Sequence, residues 1–146
     1  MLLKLIRHRK KLKYCFEALW DLAICKYLIL HKPFQKYATE YGYAHCETLR
    51  EDMQAADEHI AGIKYALRVV PRYLPWSSKC LDQAMAGQQM LKRRGLQSTL
   101  YFGLVKGQES ALNAHAWLRC GDRWIIGYQT QVAYTVVGAY ACFSNA

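Results

Sequence analysis

Gly95 divides this sequence into two patterns of different period. Before it, apolar residues recur at steps of three and four; after it, STLYFGLV, AHAWLRC and RWIIGYQ are short runs of aromatic and β-branched residues, separated by Gly107 and Gly121-Asp122. The first period belongs to helices with one buried face and the second pattern to strands. Helices followed by strands joined through a Gly-Asp turn predict an α+β domain with an antiparallel sheet.

The helical half breaks into three predicted segments. From about Leu12 to Leu30, the positions Leu12, Cys15 or Phe16, Leu19, Ala23 and Tyr27, widened by Trp20, Ile24 and Leu28, predict a helix with a broad buried face. His31-Lys32-Pro33 ends it, because proline disfavours the helical region for the residue before it. Phe34 to Glu40 is expected as a second helix stopping near Gly42. Thr48 to Val70, with Met53, Ala56, Ile60, Ile63, Leu67 and Val70 in helical register, is the third, and Pro71 and Pro75 bracket the turn after it.

A chain of 146 residues, 53% hydrophobic and 21% charged, is long enough for one domain with its own core and too apolar to be disordered. Its net charge of +9 is concentrated early, at Lys4, Arg7, Arg9, Lys10, Lys11 and Lys13, with no acidic residue among them. The bland reading of such an arm is solvation. Membrane-surface contact by this basic N-terminus ranks lower, and no nucleic-acid motif follows it, so no nucleic-acid partner is expected. The stretch ALWDLAICKYLIL is interrupted by Asp21 and Lys26 and falls short of the roughly 20 residues that span a bilayer. The six cysteines form no CxxC pair, which excludes a metal framework, and the apolar content makes a disulfide scaffold unnecessary. The reducing cytoplasm is the expected compartment, with most thiols serving as small core residues.

One cysteine is placed differently. Ser77 and Ser78 are N-cap candidates for a helix that buries Leu81, Ala84, Met85 and Leu91 and ends in Lys92-Arg93-Arg94-Gly95, cations on its negative pole and a glycine beyond. Cys80 then falls in the first turn, where unpaired amides and the positive end of the macrodipole favour a thiolate and can receive an oxyanion. A thiolate nucleophile needs a base that later protonates a leaving amine. Of the five histidines, His115 is the candidate, on a strand whose one face carries His115, Trp117 and Arg119 and whose other carries Ala116, Leu118 and Cys120. The bland alternative is an inert cysteine and a packed histidine. A zinc site from Cys80, His115 and Cys120 fits no usual ligand spacing, so no metal is expected.

The block CLDQAMAGQQMLKRRGLQSTLYFGLV, followed by AHAWLRCGDRWIIG, resembles the transglutaminase-like (papain-like) cysteine-protease core, and within it the leader peptidase of lasso-peptide biosynthesis, the stand-alone protease subunit of the split maturation protein. The likeness covers roughly residues 66–146, which implies a core domain there, with a nucleophile-bearing helix packed on an antiparallel sheet, and a helical extension over 1–65, the two expected to form one compact unit. The resemblance implies that Cys80 attacks the bond between leader and core peptide and that His115 handles the proton, without a cofactor. A small recognition protein would deliver the precursor's leader, and a separate ATP-dependent lasso cyclase would close the freed amine into a macrolactam. The basic arm would then dock an acidic leader or the recognition protein. The family's third residue is usually an aspartate about a dozen residues after the histidine, where this chain reads Ile126-Gly127-Tyr128-Gln129. Gln129 is ranked first for the orienting role and Asp122, a turn residue, second; a backbone carbonyl or a plain dyad stays open. Trp76 and Ser78 are the candidate substrate-binding residues, and Trp117 and Trp124 are expected in the core. Two other classes remain: an acyltransferase or amidase of the same fold, and a catalytically silent peptide-binding module.

Overall fold

The computed structural model describes residues 1–107 and 111–143; residues 108–110, and residues 144–146 at the end of the expected core, lie outside the described residues. Among the described residues the α-helices are α1 (Leu2–His31), α2 (Asp57–Val69) and α3 (Cys80–Lys92). The strands are β1 (Tyr43–Ala44), β2 (Ser98–Lys106), β3 (Leu112–Cys120), β4 (Arg123–Ile126) and β5 (Tyr134–Cys142), all antiparallel, in the order β1-β5-β2-β3-β4. A helical half followed by an antiparallel sheet is the expected α+β arrangement.

α3 lies on the sheet, and α1 and α2 pack against α3. The core between these layers joins Ala18, Leu22 and Cys25 of α1, Ile60, Ile63 and Leu67 of α2, Ala84, Met85 and Leu91 of α3, and Leu100, Ala116, Leu118 and Cys120 of the sheet. Each large aliphatic chain buried here stabilises the fold by roughly 1.5–3 kcal/mol. The helix approaches the sheet closely because position 87 is glycine: a Cβ there would stand 2.8 Å from both Leu118 Cδ2 and Leu67 Cδ1. Burial pushes the thiols of Cys25 and Cys120 up to about 12 and about 11, as expected of small core residues.

The opposite face of the sheet is aromatic. Trp117 stacks on Tyr101 with centroids 5.4 Å apart, and Trp124, Tyr128 and Tyr134 pack around them. Strand alternation therefore divides β3 as the sequence implied, with Trp117 outward and Ala116, Leu118 and Cys120 under the helices. Arg119, 1% exposed, clamps the preceding loop to the sheet by donating to Tyr101 Oη at 2.9 Å, Thr48 O at 2.8 Å and Gly121 O at 2.7 Å.

Several sequence expectations are corrected. The basic arm is not a separate segment, since α1 starts at Leu2. More consequentially, the face of α1 is inverted. Tyr14, Ala18, Asp21, Leu22 and Cys25 face inward, while Leu12, Phe16, Leu19, Trp20, Ile24 and Tyr27 are exposed. The inward face must let α1 approach α3, which small residues permit, and it holds the ion pairs: Arg93 binds Asp21 and Glu17, and Arg94 binds both Glu17 oxygens at 2.8 and 2.7 Å. Burial pushes the Asp21 carboxyl up against the opposing pull of Arg93; at Glu17 the arginines outweigh burial and hold it below the usual carboxylate range.

Phe34–Lys36 and Ala38–Tyr41 are two 3₁₀ turns in place of one helix. The segment from Thr48 is not helical until Gln54, because Thr48 donates its amide to Thr99 Oγ1 at 2.9 Å and the two hydroxyls hydrogen-bond at 2.8 Å, as part of the sheet's margin. Tyr43–Ala44 and Tyr134–Cys142 are strands that the sequence reading did not pick out.

Candidate active site

α3 begins at Cys80 as expected, but its cap differs. Lys79 occupies the N-cap position, and its amide donates to Asp82 Oδ1 at 2.6 Å, so an acid in the first turn, not a serine, fixes the helix start. Ser78, half-buried, instead accepts from Gln83 Nε2 through its carbonyl at 3.4 Å and its hydroxyl at 3.3 Å. Cys80 is half-buried and packs at the margin of the helix-side core. Two buried polar atoms lie close to it in sequence, Asp82 Oδ2 and the Trp76 indole nitrogen, and neither has a hydrogen-bond partner. The free amides of the first turn point out past Cys80, as at any helix start.

His115 sits in β3 opposite Gly103 and projects to the aromatic side. Its ring stacks on Tyr134, with centroids 5.5 Å apart and planes 9° apart, and lies 6.2 Å from Trp117. Nε2 stands 2.6 Å from Gly127 O. A carbonyl only accepts, so Nε2 carries the proton and donates it, which leaves Nδ1 with the lone pair in the neutral ring. The imidazole is thus fixed in one tautomer by a main-chain group.

Gly127 can offer that carbonyl because of its conformation. Its φ is +87°, and a Cβ would fall 2.4 Å from Ala116 O, so a side chain is excluded by strain and by contact. A glycine directly after the strand run RWII was the available sequence signal; a backbone carbonyl stays open in the sequence, and which residue offers it has no letter of its own. Tyr134 was also missed, since its strand was. Its hydroxyl accepts from Gln129 N–H at 3.2 Å and lies 3.4 Å from Gly127 O, which ties the turn together.

Gln129 lines the same cavity of about 240 Å³ as His115, Asn113 and Tyr134, but its hydrogen bonds are main-chain ones, from its N–H to Tyr134 Oη and from Val132 N–H to its carbonyl. Asp122 follows the far end of β3: its amide donates to Glu51 O at 2.9 Å and its carboxylate faces Arg123 at 3.4 Å. No hydrogen bond joins Cys80 Sγ to His115 among the described residues. The two groups flank one short segment. Gln83, one turn along α3 from Cys80, shares a cavity with Ile125 and Ile126, and the next residue, Gly127, holds His115. β4 pairs with β3 only from Leu118 to Cys120, so the part of β3 that carries His115 lies beyond the end of β4. Among the described residues no three His, Cys, Asp or Glu side chains are grouped to hold a metal, and no helix is long and apolar enough to cross a membrane.

A thiol in the first turn of a helix laid on an antiparallel sheet, and a tautomer-fixed imidazole on the far face of the strand beneath it, are the two reactive groups of this fold, and the structure does not bring them into contact. The chain belongs to the transglutaminase-like superfamily, which it matches over residues 34–139, well over half its length. Members of that superfamily are usually cysteine-dependent enzymes, with activities of the cysteine-protease or acyltransferase type. No curated protein and no solved structure matches the chain.

Proposed function

We propose that this protein is a cysteine peptidase that removes the leader from a ribosomally made lasso-peptide precursor. The observation that carries the enzyme reading is the His115–Gly127 bond, because it holds Nδ1 free to act as a base. What supports the substrate is likeness of sequence: a Cys80-Leu81 helix start, an Arg93-Arg94-Gly95 end and an Ala114-His115-Ala116-Trp117 strand, in the order of the leader peptidases.

The reaction runs in two halves. Cys80 Sγ attacks the carbonyl carbon at the leader–core junction while its proton passes to His115 Nδ1, and the first-turn amides of α3 receive the oxyanion. Collapse breaks the C–N bond, and Nδ1 returns the proton to the departing core amine. Water then attacks the thioester, His115 takes its proton, and the leader leaves as a carboxylate with the thiol restored. Gly127 O fills the orienting role that a carboxylate has in a triad, ahead of Gln129 and Asp122. Sγ and Nδ1 must meet during turnover, and because His115 projects to the aromatic side while Cys80 packs on the helix side, the reaction requires the part of β3 beyond β4, with the Gly127 turn, to move toward Cys80 when substrate binds. Trp76 and Ser78, just before the nucleophile in the chain, touch the bound peptide in this reading.

In this reading the leader arrives on a small recognition protein in the cytoplasm, and the released core amine is the substrate of a separate ATP-dependent cyclase. The test is mass spectrometry of a precursor incubated with its recognition protein and either wild type or Cys80→Ala. Release of the leader at one position by wild type alone supports the proposal. Equal cleavage by both proteins removes Cys80 as nucleophile, and cleavage by neither, with the precursor delivered, favours a silent binding module.

A further inference from the structure

α1 is apolar on two opposite sides. Its inward side is covered by α2 and α3, while its outward side carries Phe16 at 70%, Trp20 at 67%, Tyr27 at 56% and Leu30 at 67% exposure, with Leu12, Leu19 and Ile24 each at least 40% exposed. These residues follow one another at steps of three and four, so they form one continuous ridge along the helix. Toward the N-terminus the ridge continues through Leu2, Leu5 and Ile6, and no residue before Tyr14 is buried. Thirty residues at 1.5 Å each make the helix about 45 Å long. An apolar surface of this extent marks a contact site.

Charge restricts what the contact is with. The acids of α1 are Glu17 and Asp21, and both are occupied inward by Arg93 and Arg94. Lys4, Arg7, Arg9, Lys10, Lys11 and Lys13 surround the apolar residues of the first turns; of these, Lys10 pairs with Glu58 and Lys11 lies over Tyr65. A second copy of the chain is disfavoured, since antiparallel pairing would set this basic segment against Lys26, His31 and Lys32 at the other end of the same helix. Shape restricts it further. The surface is a ridge, which on a folded partner needs a matching groove, whereas a lipid interface yields around any ridge.

We infer that the outward side of α1 is a peripheral membrane-binding surface for bilayers with anionic headgroups. The helix lies in the interfacial plane, with Leu5, Leu12, Phe16, Trp20 and Ile24 entering the headgroup–acyl boundary and the lysines and arginines beside them meeting lipid phosphates. Neither contribution suffices alone, so binding needs both the apolar ridge and the anionic lipid.

The experiment uses the full chain and sedimentation with unilamellar vesicles. Wild type co-sediments with vesicles of phosphatidylcholine mixed with phosphatidylglycerol, not with phosphatidylcholine alone, and high salt weakens the binding. Trp20→Glu and Phe16→Glu each weaken it about tenfold or more, the loss expected when a large apolar contact is replaced by a charge. Arg9→Glu with Lys13→Glu has an effect of similar size on mixed vesicles. Both apolar positions are exposed, so the variants keep the wild-type circular dichroism and melting temperature. Equal binding to both lipid mixtures, no binding to either, or unaltered binding by Trp20→Glu overturns the inference. A wild-type dimer in analytical ultracentrifugation that Trp20→Glu dissolves would also overturn it, and assign the ridge to a second copy. So would capture of an acidic amphipathic peptide by a chain that ignores vesicles.

Discussion

The two faces of the sheet are put together from different materials, and the contrast separates what holds this protein up from what it does. The face under the helices is closed and mostly aliphatic: Leu100, Leu118 and Cys120 are fully buried, Phe102 and Tyr140 pack edge-on against Phe34 on the same side, and even Gly87 is set by how near α3 must come. The outer face combines rings with hydrogen-bonding atoms, and His115, Tyr134 and Gln129 keep contact with a cavity. β3 belongs to both, with successive side chains serving opposite purposes. A closed apolar layer fixes the backbone to a fraction of an ångström, and a rigid backbone is what lets a glycine carbonyl hold an imidazole in place.

Substitutions in β3 and the turn after it test this division. His115→Ala should lower leader cleavage by about 10²–10⁴-fold, the range of a lost general acid–base, with little change in melting temperature. A comparable loss of stability with unchanged activity per folded molecule would break the comparison. Three positions on, and facing the other way, Leu118→Ala should cost about 2–5 kcal/mol in urea unfolding while the folded fraction cleaves at the wild-type rate. Gly127→Ala stands between them, because it strains a residue at positive φ and displaces the carbonyl on His115. It should lose roughly 1–3 kcal/mol of stability and roughly 10–100-fold of activity, measured together on one preparation. If Gly127→Ala lost stability alone, the main-chain carbonyl would not be orienting the base.

How much of this could be read beforehand depends on the kind of signal. The division of β3 was legible, because strand alternation leaves no choice once one side is apolar. The position of Cys80 was legible too, since Pro75 and the Arg93-Arg94-Gly95 end fix the helix even though the capping residue was assigned to serine in place of Asp82. The inward side of α1 was not. Both sides are apolar at helical spacing, and the choice falls to small residues and to ion pairs with Arg93 and Arg94, which are more than 70 positions away in the chain. β5 escaped because Thr135, Val136 and Val137 are all exposed, on both sides of the strand, so no single buried stripe announces it. A backbone carbonyl was open for the orienting role, but every residue carries one, so no letter of the sequence singles out Gly127.

The smallest predicted effects bear on that last point. Gln129 lines the same cavity as His115, yet its hydrogen bonds run from its main-chain N–H to Tyr134 and from Val132 N–H to its main-chain carbonyl, and main-chain bonds survive a change of side chain. Gln129→Ala should therefore leave cleavage within roughly threefold of wild type, since no bond to the imidazole is lost. Asp122 lies beyond the other end of β3 and faces Arg123 from an exposed turn, an ion pair of the kind worth about 0–1 kcal/mol. Asp122→Ala should shift the unfolding midpoint slightly and leave turnover unchanged. The pH profile of cleavage distinguishes these outcomes from a hidden third residue: if the imidazole is oriented by Gly127 alone, both variants keep the wild-type profile. A displaced limb in Gln129→Ala would show that its side chain reaches His115 when substrate is bound, and would return the orienting role from the backbone to an amide.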